Sequence, residues 1–111
     1  DEDIEIEADA VRVRQLLQRP QAAHTAATLA AQLALSARTL HRQLRGEGTS
    51  LQALKNEVRQ ARATDLLLRT QLPLGRVARA AGFDNDKSFI RAFRGWTGMT
   101  PEALRRARAE P

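Results

Sequence analysis

The sequence predicts an all-α chain: about seven helices, arranged as two similar halves joined by one long helix. Three observations carry this. Ala, Leu, Arg and Gln dominate, and β-branched alternation is absent apart from the short "DIEIE" near the start. Capping residues and helix breakers punctuate the chain at helical intervals. And one pattern of short helix, tight turn and second helix occurs twice.

The elements follow in order. A first helix is expected over about Ala8–Arg19, with Val13, Leu16 and Leu17 inward and Pro20 as its stop. Thr25 can cap a short helix through about Leu33. Ser36 caps the next, in "SARTLHRQLRG", and Gly46 is expected to end it in the left-handed conformation. Ser50 can cap a long helix from Leu51 to about Arg69, which "TQLP" breaks. A short helix follows over about Pro73–Ala81, closed by Gly82. Asn85 caps one over about Asp86–Arg94, with Gly95 expected to end it. Thr100 caps the last, with Pro101 as its first residue. Domain boundaries follow: an acidic linker remnant over 1–8, a first subdomain over 9–49, a connecting helix over 50–70 and a second subdomain over 71–111.

The repeat is specific in detail. "LAAQLAL" (Leu29–Leu35) lies over "VARAAGF" (Val77–Phe83), and "ARTLHRQLRG" (Ala37–Gly46) over "DKSFIRAFRG" (Asp86–Gly95). Arg42 meets Arg91, Arg45 meets Arg94, and Leu40 and Leu44 meet Phe89 and Phe93. Even "QALK" (Gln52–Lys55) resembles "EALR" (Glu102–Arg105). Two copies of this unit make a duplicated helix-turn-helix.

Charge sharpens the picture. Residues 1–9 hold six of the thirteen acids and no base, while the other 102 residues carry 18 bases against 7 acids, a net of +11. Such a surplus attracts polyanions, nucleic acid first. At about 100° per residue, Arg38, His41, Arg42 and Arg45 fall on one face of their helix and Ala37, Leu40 and Leu44 on the other. In the second copy Lys87, Arg91 and Arg94 share a face, with Ser88 on its shoulder, and Phe89, Phe93 and Trp96 face inward. A solvated basic face is the ordinary use of Arg. Against it, the first face holds no acid to pair with, the face recurs, and each is the second helix of a helix-turn-helix, the element that enters the major groove. The connecting helix, about 19 residues or about 28 Å long, suits two reading helices in adjacent major grooves. Its apolar positions are Leu51, Leu54, Val58, Ala63, Leu66, Leu67 and Leu68. Arg62 and Asp65 interrupt the stripe; they can pair at i,i+3, but a helix packed on both sides is the preferred account.

Other classes find little support. His24 and His41 are far apart, Cys is absent, and no nucleophile set or phosphate loop occurs, so neither an enzyme nor a metal or cofactor site is expected. His24 is expected to be exposed in a loop. The four aromatics, Phe83, Phe89, Phe93 and Trp96, are spaced as core, not as stacking platforms, which disfavours RNA. No run suits a membrane span and there is no signal-peptide pattern. Without Cys the chain fits a reducing cytoplasm. The missing initiator Met and the acidic start suggest a piece of a longer protein. The runner-up to DNA binding is a basic helical module that binds an acidic protein partner.

At this point the residues resemble the DNA-binding domain of the AraC/XylS family of bacterial transcription regulators. The resemblance runs from about Val11 to Arg106 and is most specific over "LPLGRVARAAGFDNDKSFIRAFRGWTGMTPEALR". It implies a seven-helix domain that binds promoter DNA, acts in the cytoplasm at the nucleoid, has RNA polymerase as a further partner, and is commonly attached to an N-terminal sensing or dimerising domain. By position it implies base contacts from Arg38, His41 and Arg42 and from Lys87, Ser88 and Arg91. It implies phosphate contacts from Ser36, Thr39, Arg45, Asn85, Arg94 and Thr100. Simple capping is the competing role for Ser36, Asn85 and Thr100, and it is compatible with phosphate contact. The chain departs from the family at Ala34, where Gly is usual. Ala tolerates positive φ poorly, so the first turn is expected to be strained or differently shaped. Asp86 is also unusual; a cap or a turn towards Lys87 is favoured over acceptance from cytosine N4.

Overall fold

The computed structural model describes residues 8–19 and 24–109. Within them it contains seven helices and no strand: α1 (Asp9–Leu17), α2 (Ala26–Gln32), α3 (Ala37–Gly46), α4 (Leu51–Arg69), α5 (Leu74–Ala80), α6 (Asp86–Thr97) and α7 (Pro101–Ala109). The acidic segment 1–7 and Pro20, the expected stop of the first helix, lie outside the described residues. No helix among them is long and apolar enough to cross a membrane. The chain divides into two compact units, one ending at Val58 and the other starting at Arg59, so that α4 contributes to both.

The first unit has a purely aliphatic core. Val13 and Leu17 of α1, Leu29 of α2, Leu40 and Leu44 of α3 and Leu54 of α4 are buried together. Each such side chain contributes about 1.5–3 kcal/mol by leaving water. Caps then place the helix starts. Thr25 accepts from the Thr28 N–H at 3.1 Å while the Thr25 N–H donates to the Thr28 hydroxyl at 3.2 Å, a reciprocal box with Thr in the usual Glu position. α1 begins with no side-chain cap of its own. Glu47 supplies one from a distance, accepting from the N–H groups of Asp9 and Ala10 at 3.0 and 2.9 Å. A carboxylate there also opposes the positive end of the helix dipole. Arg14 and Glu57 form an ion pair between α1 and α4. His24 is half-buried rather than exposed, with Nε2 hydrogen-bonded to the carbonyl oxygen of Arg19 at 3.1 Å.

The second unit is built around rings. Phe89 and Phe93 are fully buried with Ala63, Leu67, Val77, Ala78 and Ala81, and Phe83 and Trp96 pack half-buried against them. The ring centroids lie 5.6 Å apart for Phe83–Phe89, 5.7 Å for Phe89–Phe93, 6.4 Å for Phe93–Trp96 and 5.9 Å for Phe83–Trp96, which closes a circuit of four. Arg105 of α7 gathers the carbonyls left open where α4 breaks: those of Leu67 at 3.1 Å, Leu72 at 2.8 Å and Thr70 at 3.3 Å. On α4 itself Asp65 pairs with Arg69 at 2.9 Å, and Arg62 donates to the Ala80 carbonyl at 3.4 Å. Leu68 faces solvent, whereas Leu51 and Leu54 enter the first core and Ala63 and Leu67 the second, as a helix packed on both sides requires.

Gly46 is the last residue of α3, as expected, but not in the left-handed conformation, and Gly95 lies inside α6 rather than ending it. α3 is closed by Gly48 at φ 81°, with the Thr49 N–H donating to Leu44 O at 3.0 Å and the Gly48 N–H to Arg45 O at 3.0 Å. α6 continues three residues past Arg94, which carries Trp96 into the aromatic circuit, and ends at Gly98 with φ 80°. In each case a glycine just past the last helical residues takes the left-handed conformation.

Candidate nucleic-acid interface

The turn in front of each outward helix decides how that helix is presented. Between α2 and α3 the Leu35 N–H donates to Ala30 O at 2.8 Å and the Ala34 N–H to Ala31 O at 3.1 Å. Between α5 and α6 the Phe83 N–H donates to Ala78 O at 2.9 Å and the Gly82 N–H to Arg79 O at 3.0 Å. This is the same left-handed closure twice. Gly82 occupies its pivot at φ 96°, and Ala34 at φ 61°. The first turn is therefore strained but not differently shaped: Ala34 accepts a conformation that costs an L residue about 1–2 kcal/mol.

Ser36 then starts α3 by accepting from the Thr39 N–H at 3.1 Å, and its hydroxyl donates to Thr39 Oγ1 at 2.9 Å. Asn85 starts α6 by accepting from the Ser88 N–H at 2.9 Å. Thr100 caps α7 by accepting from the Ala103 N–H at 3.0 Å. The capping roles expected of Ser36, Asn85 and Thr100 are thus present, and Ser36 and Asn85 are also exposed.

With these starts fixed, Arg38, His41, Arg42 and Arg45 are exposed on α3, opposite the buried Leu40 and Leu44. Thr39 is half-buried on the shoulder. In the second unit Lys87, Ser88, Arg91 and Arg94 are exposed on α6, opposite the buried Phe89 and Phe93. Among the described residues none of the six cations on these two faces is in an ion pair, in contrast to Arg12 with Asp9, Arg14 with Glu57 and Arg69 with Asp65. Leaving Arg38, Arg42, Arg45, Lys87, Arg91 and Arg94 unpaired keeps all their donors available for anions. Asp86 does not oppose them. Its carboxylate folds back against the first turn of α5, where a Cβ on Gly75 would stand 3.3 Å from its Oδ1. That placement sets a carboxylate beside the positive end of the α5 dipole, without a side-chain cap hydrogen bond to that helix.

Three residues near these faces escape a reading based on charge repeats. Arg76 and Arg79 are exposed on α5, where the first copy has Thr28 and Ala31. Ile90 sits between the core and the basic face of α6, where the first copy has His41. With Lys87, Arg91 and Arg94 it lines an open depression of about 460 Å³. Among the described residues no group of His, Cys, Asp and Glu could hold a metal ion.

Two tandem units, each presenting an exposed basic second helix behind a tight turn, define a helix-turn-helix domain. A helix-turn-helix family model matches residues 29–107. An ornithine utilization regulator of Pseudomonas aeruginosa is 41% identical over 97 residues, covering 86% of this chain and 29% of that protein. A DNA-binding transcriptional dual regulator of Escherichia coli K-12 superposes with a TM-score of 0.89 at 30% identity, covering 99% of this chain and 100% of that one. The DNA-binding domain of AdpA, a global transcriptional factor solved with a target DNA, superposes with a TM-score of 0.77 at 30% identity, over 92% of this chain and 93% of that one. The chain belongs to the AraC/XylS family of transcription regulators and corresponds to its DNA-binding domain. It spans less than a third of the length of the curated relatives it matches.

Proposed function

We propose that the chain binds double-stranded promoter DNA sequence-specifically, with α3 and α6 in adjacent major grooves. The observation that carries this is the pair of unpaired basic faces, each on the second helix of its unit. Arg38, His41 and Arg42 read bases from α3, and Lys87, Ser88 and Arg91 from α6. An Arg fork matches guanine O6 and N7, whereas His41 donates or accepts according to its tautomer. Ser36, Thr39, Arg45, Asn85, Arg94 and Thr100 hold phosphates, Arg45 and Arg94 from late positions in their helices. Exposed Arg76 and Arg79 join them from α5. The subdomains extend over 9–49 and 71–111 with a connecting helix over 50–70, and the acidic stretch 1–8 leads in from an N-terminal sensing or dimerising domain. The whole protein acts in the bacterial cytoplasm at the nucleoid, with RNA polymerase as a further partner.

Selection from random duplexes tests the proposal. One preferred site with two half-sites about one helical turn apart is expected. Affinity should fall with salt at a log–log slope of about −5 for six phosphate contacts. Arg42→Ala and Arg91→Ala should each cost about 1–3 kcal/mol and relax the choice at one base pair, while Arg45→Ala should weaken all duplexes alike. Equal affinity for every duplex would overturn sequence reading and favour an acidic protein as the partner of these faces.

A further inference from the structure

The two outward faces differ at one equivalent position. His41 stands on the shoulder of α3, and Ile90 on the shoulder of α6. Ile90 is half-buried, so part of a β-branched apolar side chain is open to solvent beside Lys87, Arg91 and Arg94. The depression it lines has Lys87, Arg91 and Arg94 as its other walls. The core of the unit is complete without this exposed part: Phe89 and Phe93, at the neighbouring inward positions, are already fully buried.

A ligand that fits this lining must be anionic around its rim and offer one small apolar group at its centre. DNA's major groove does so where thymine places its C5-methyl between flanking phosphates; the other bases present only donors and acceptors on that edge. Arg91 and Lys87, on the same face as the depression, can then use their N–H groups on neighbouring base edges. We infer that Ile90 is a specificity-determining residue of α6 that packs on the 5-methyl group of a thymine. The inference rests on the proposal that α6 enters the major groove. It makes the two units unlike readers: the first reads with polar groups alone, through Arg38, His41 and Arg42, while the second adds an apolar contact.

The test uses the best duplex selected by the chain and replaces each thymine in turn by deoxyuridine, which removes the methyl and leaves the base pairing intact. One thymine in the half-site bound by the second unit should lose about three- to tenfold in affinity, the scale of one apolar methyl. In Ile90→Ala that same replacement should cost nothing further, whereas uracil elsewhere should act alike on both proteins. Ile90→Val retains part of the contact and should lose an intermediate amount, and it keeps the test open if Ile90→Ala is too unstable to assay. Placing 5-methylcytosine at that position in a C·G pair should recover part of the affinity for the parent chain and none for Ile90→Ala. If both variants keep the parent's uracil penalty at every thymine, Ile90 does not read the methyl, and site selection stands without it. If the chain selects no site from random duplexes, the major-groove reading falls and this inference with it.

Discussion

The first unit builds its core from aliphatic side chains alone, the second from a circuit of four aromatic rings, and both present a basic helix behind the same pair of backbone hydrogen bonds. What the copies share is the hydrogen-bond plan and the outward charge; what they have exchanged is the packing. The face that meets a ligand is constrained by that ligand, whereas a core needs only matched volume and shape. The largest test of this division is Phe93→Ala against Leu44→Ala. Phe93→Ala should cost about 3–5 kcal/mol and Leu44→Ala about 2–5 kcal/mol. Trp96, the sole tryptophan, belongs to the second core, so its fluorescence should report the loss of Phe93 directly. If Leu44→Ala moved the Trp96 transition as far as Phe93→Ala does, the two cores would not be separate.

Arg105 sharpens the comparison next. Its guanidinium binds three carbonyl oxygens where α4 ends, whereas Lys55, its counterpart in the repeat, makes no such bonds among the described residues. Hydrogen bonds from a charged donor are worth more than neutral ones, and removing the donor leaves partly buried acceptors unsatisfied. Arg105→Ala should therefore destabilise the second unit by about 2–3 kcal/mol, and Lys55→Ala the first by less than about 0.5 kcal/mol. Chemical denaturation followed at Trp96 and by circular dichroism separates the two. Equal losses would make Arg105 an ordinary surface residue.

Much of this molecule was legible in its sequence because periodicity and capping are local. Thr25, Ser36, Ser50, Asn85 and Thr100 all start helices where expected. The outward faces also followed, since Leu40, Leu44, Phe89 and Phe93 fix which side is inward. Less legible were features whose cause lies elsewhere in the chain. Gly95 looks like a helix end, but α6 runs on through Trp96, which packs on the second core, to Gly98, and the left-handed residue after α3 is Gly48 rather than Gly46. Glu47 capping α1 and Arg105 capping α4 join residues 38 apart in sequence. No local pattern announces such a partner. Ile90 is hidden from charge patterning, because an apolar residue on a helix shoulder has the signature of core.

The turn pivots test whether the shared backbone plan is independent of the residue that occupies it. Ala34→Gly removes the left-handed penalty but frees the unfolded chain, so a net gain of about 1 kcal/mol is expected. The reverse change, Gly82→Ala, should lose about 2 kcal/mol, because the added Cβ would also stand 3.2 Å from Arg59 Nε. That guanidinium lies over the Phe83 ring at 5.4 Å and would have to shift. Thermal unfolding of the two variants should move in opposite directions. If Ala34→Gly destabilised the chain, the first turn would be using the Ala34 methyl in a way its exposure does not suggest.

The smallest effect belongs to Gly46 and Gly95, which occupy equivalent places in the repeat. Both are exposed and helical, and a Cβ built on either meets nothing within 4 Å. Glycine in an exposed helix interior costs about 0.5–1 kcal/mol relative to Ala, through backbone freedom in the unfolded chain. Gly95→Ala should therefore raise stability by about that amount, and Gly46→Ala, at the last residue of α3, by less. Both substitutions depend on backbone conformation rather than on the core beneath. A gain at one position and a loss at the other would show that the core's composition reaches the outward face, and the division between a conserved plan and exchanged packing would then be too sharp.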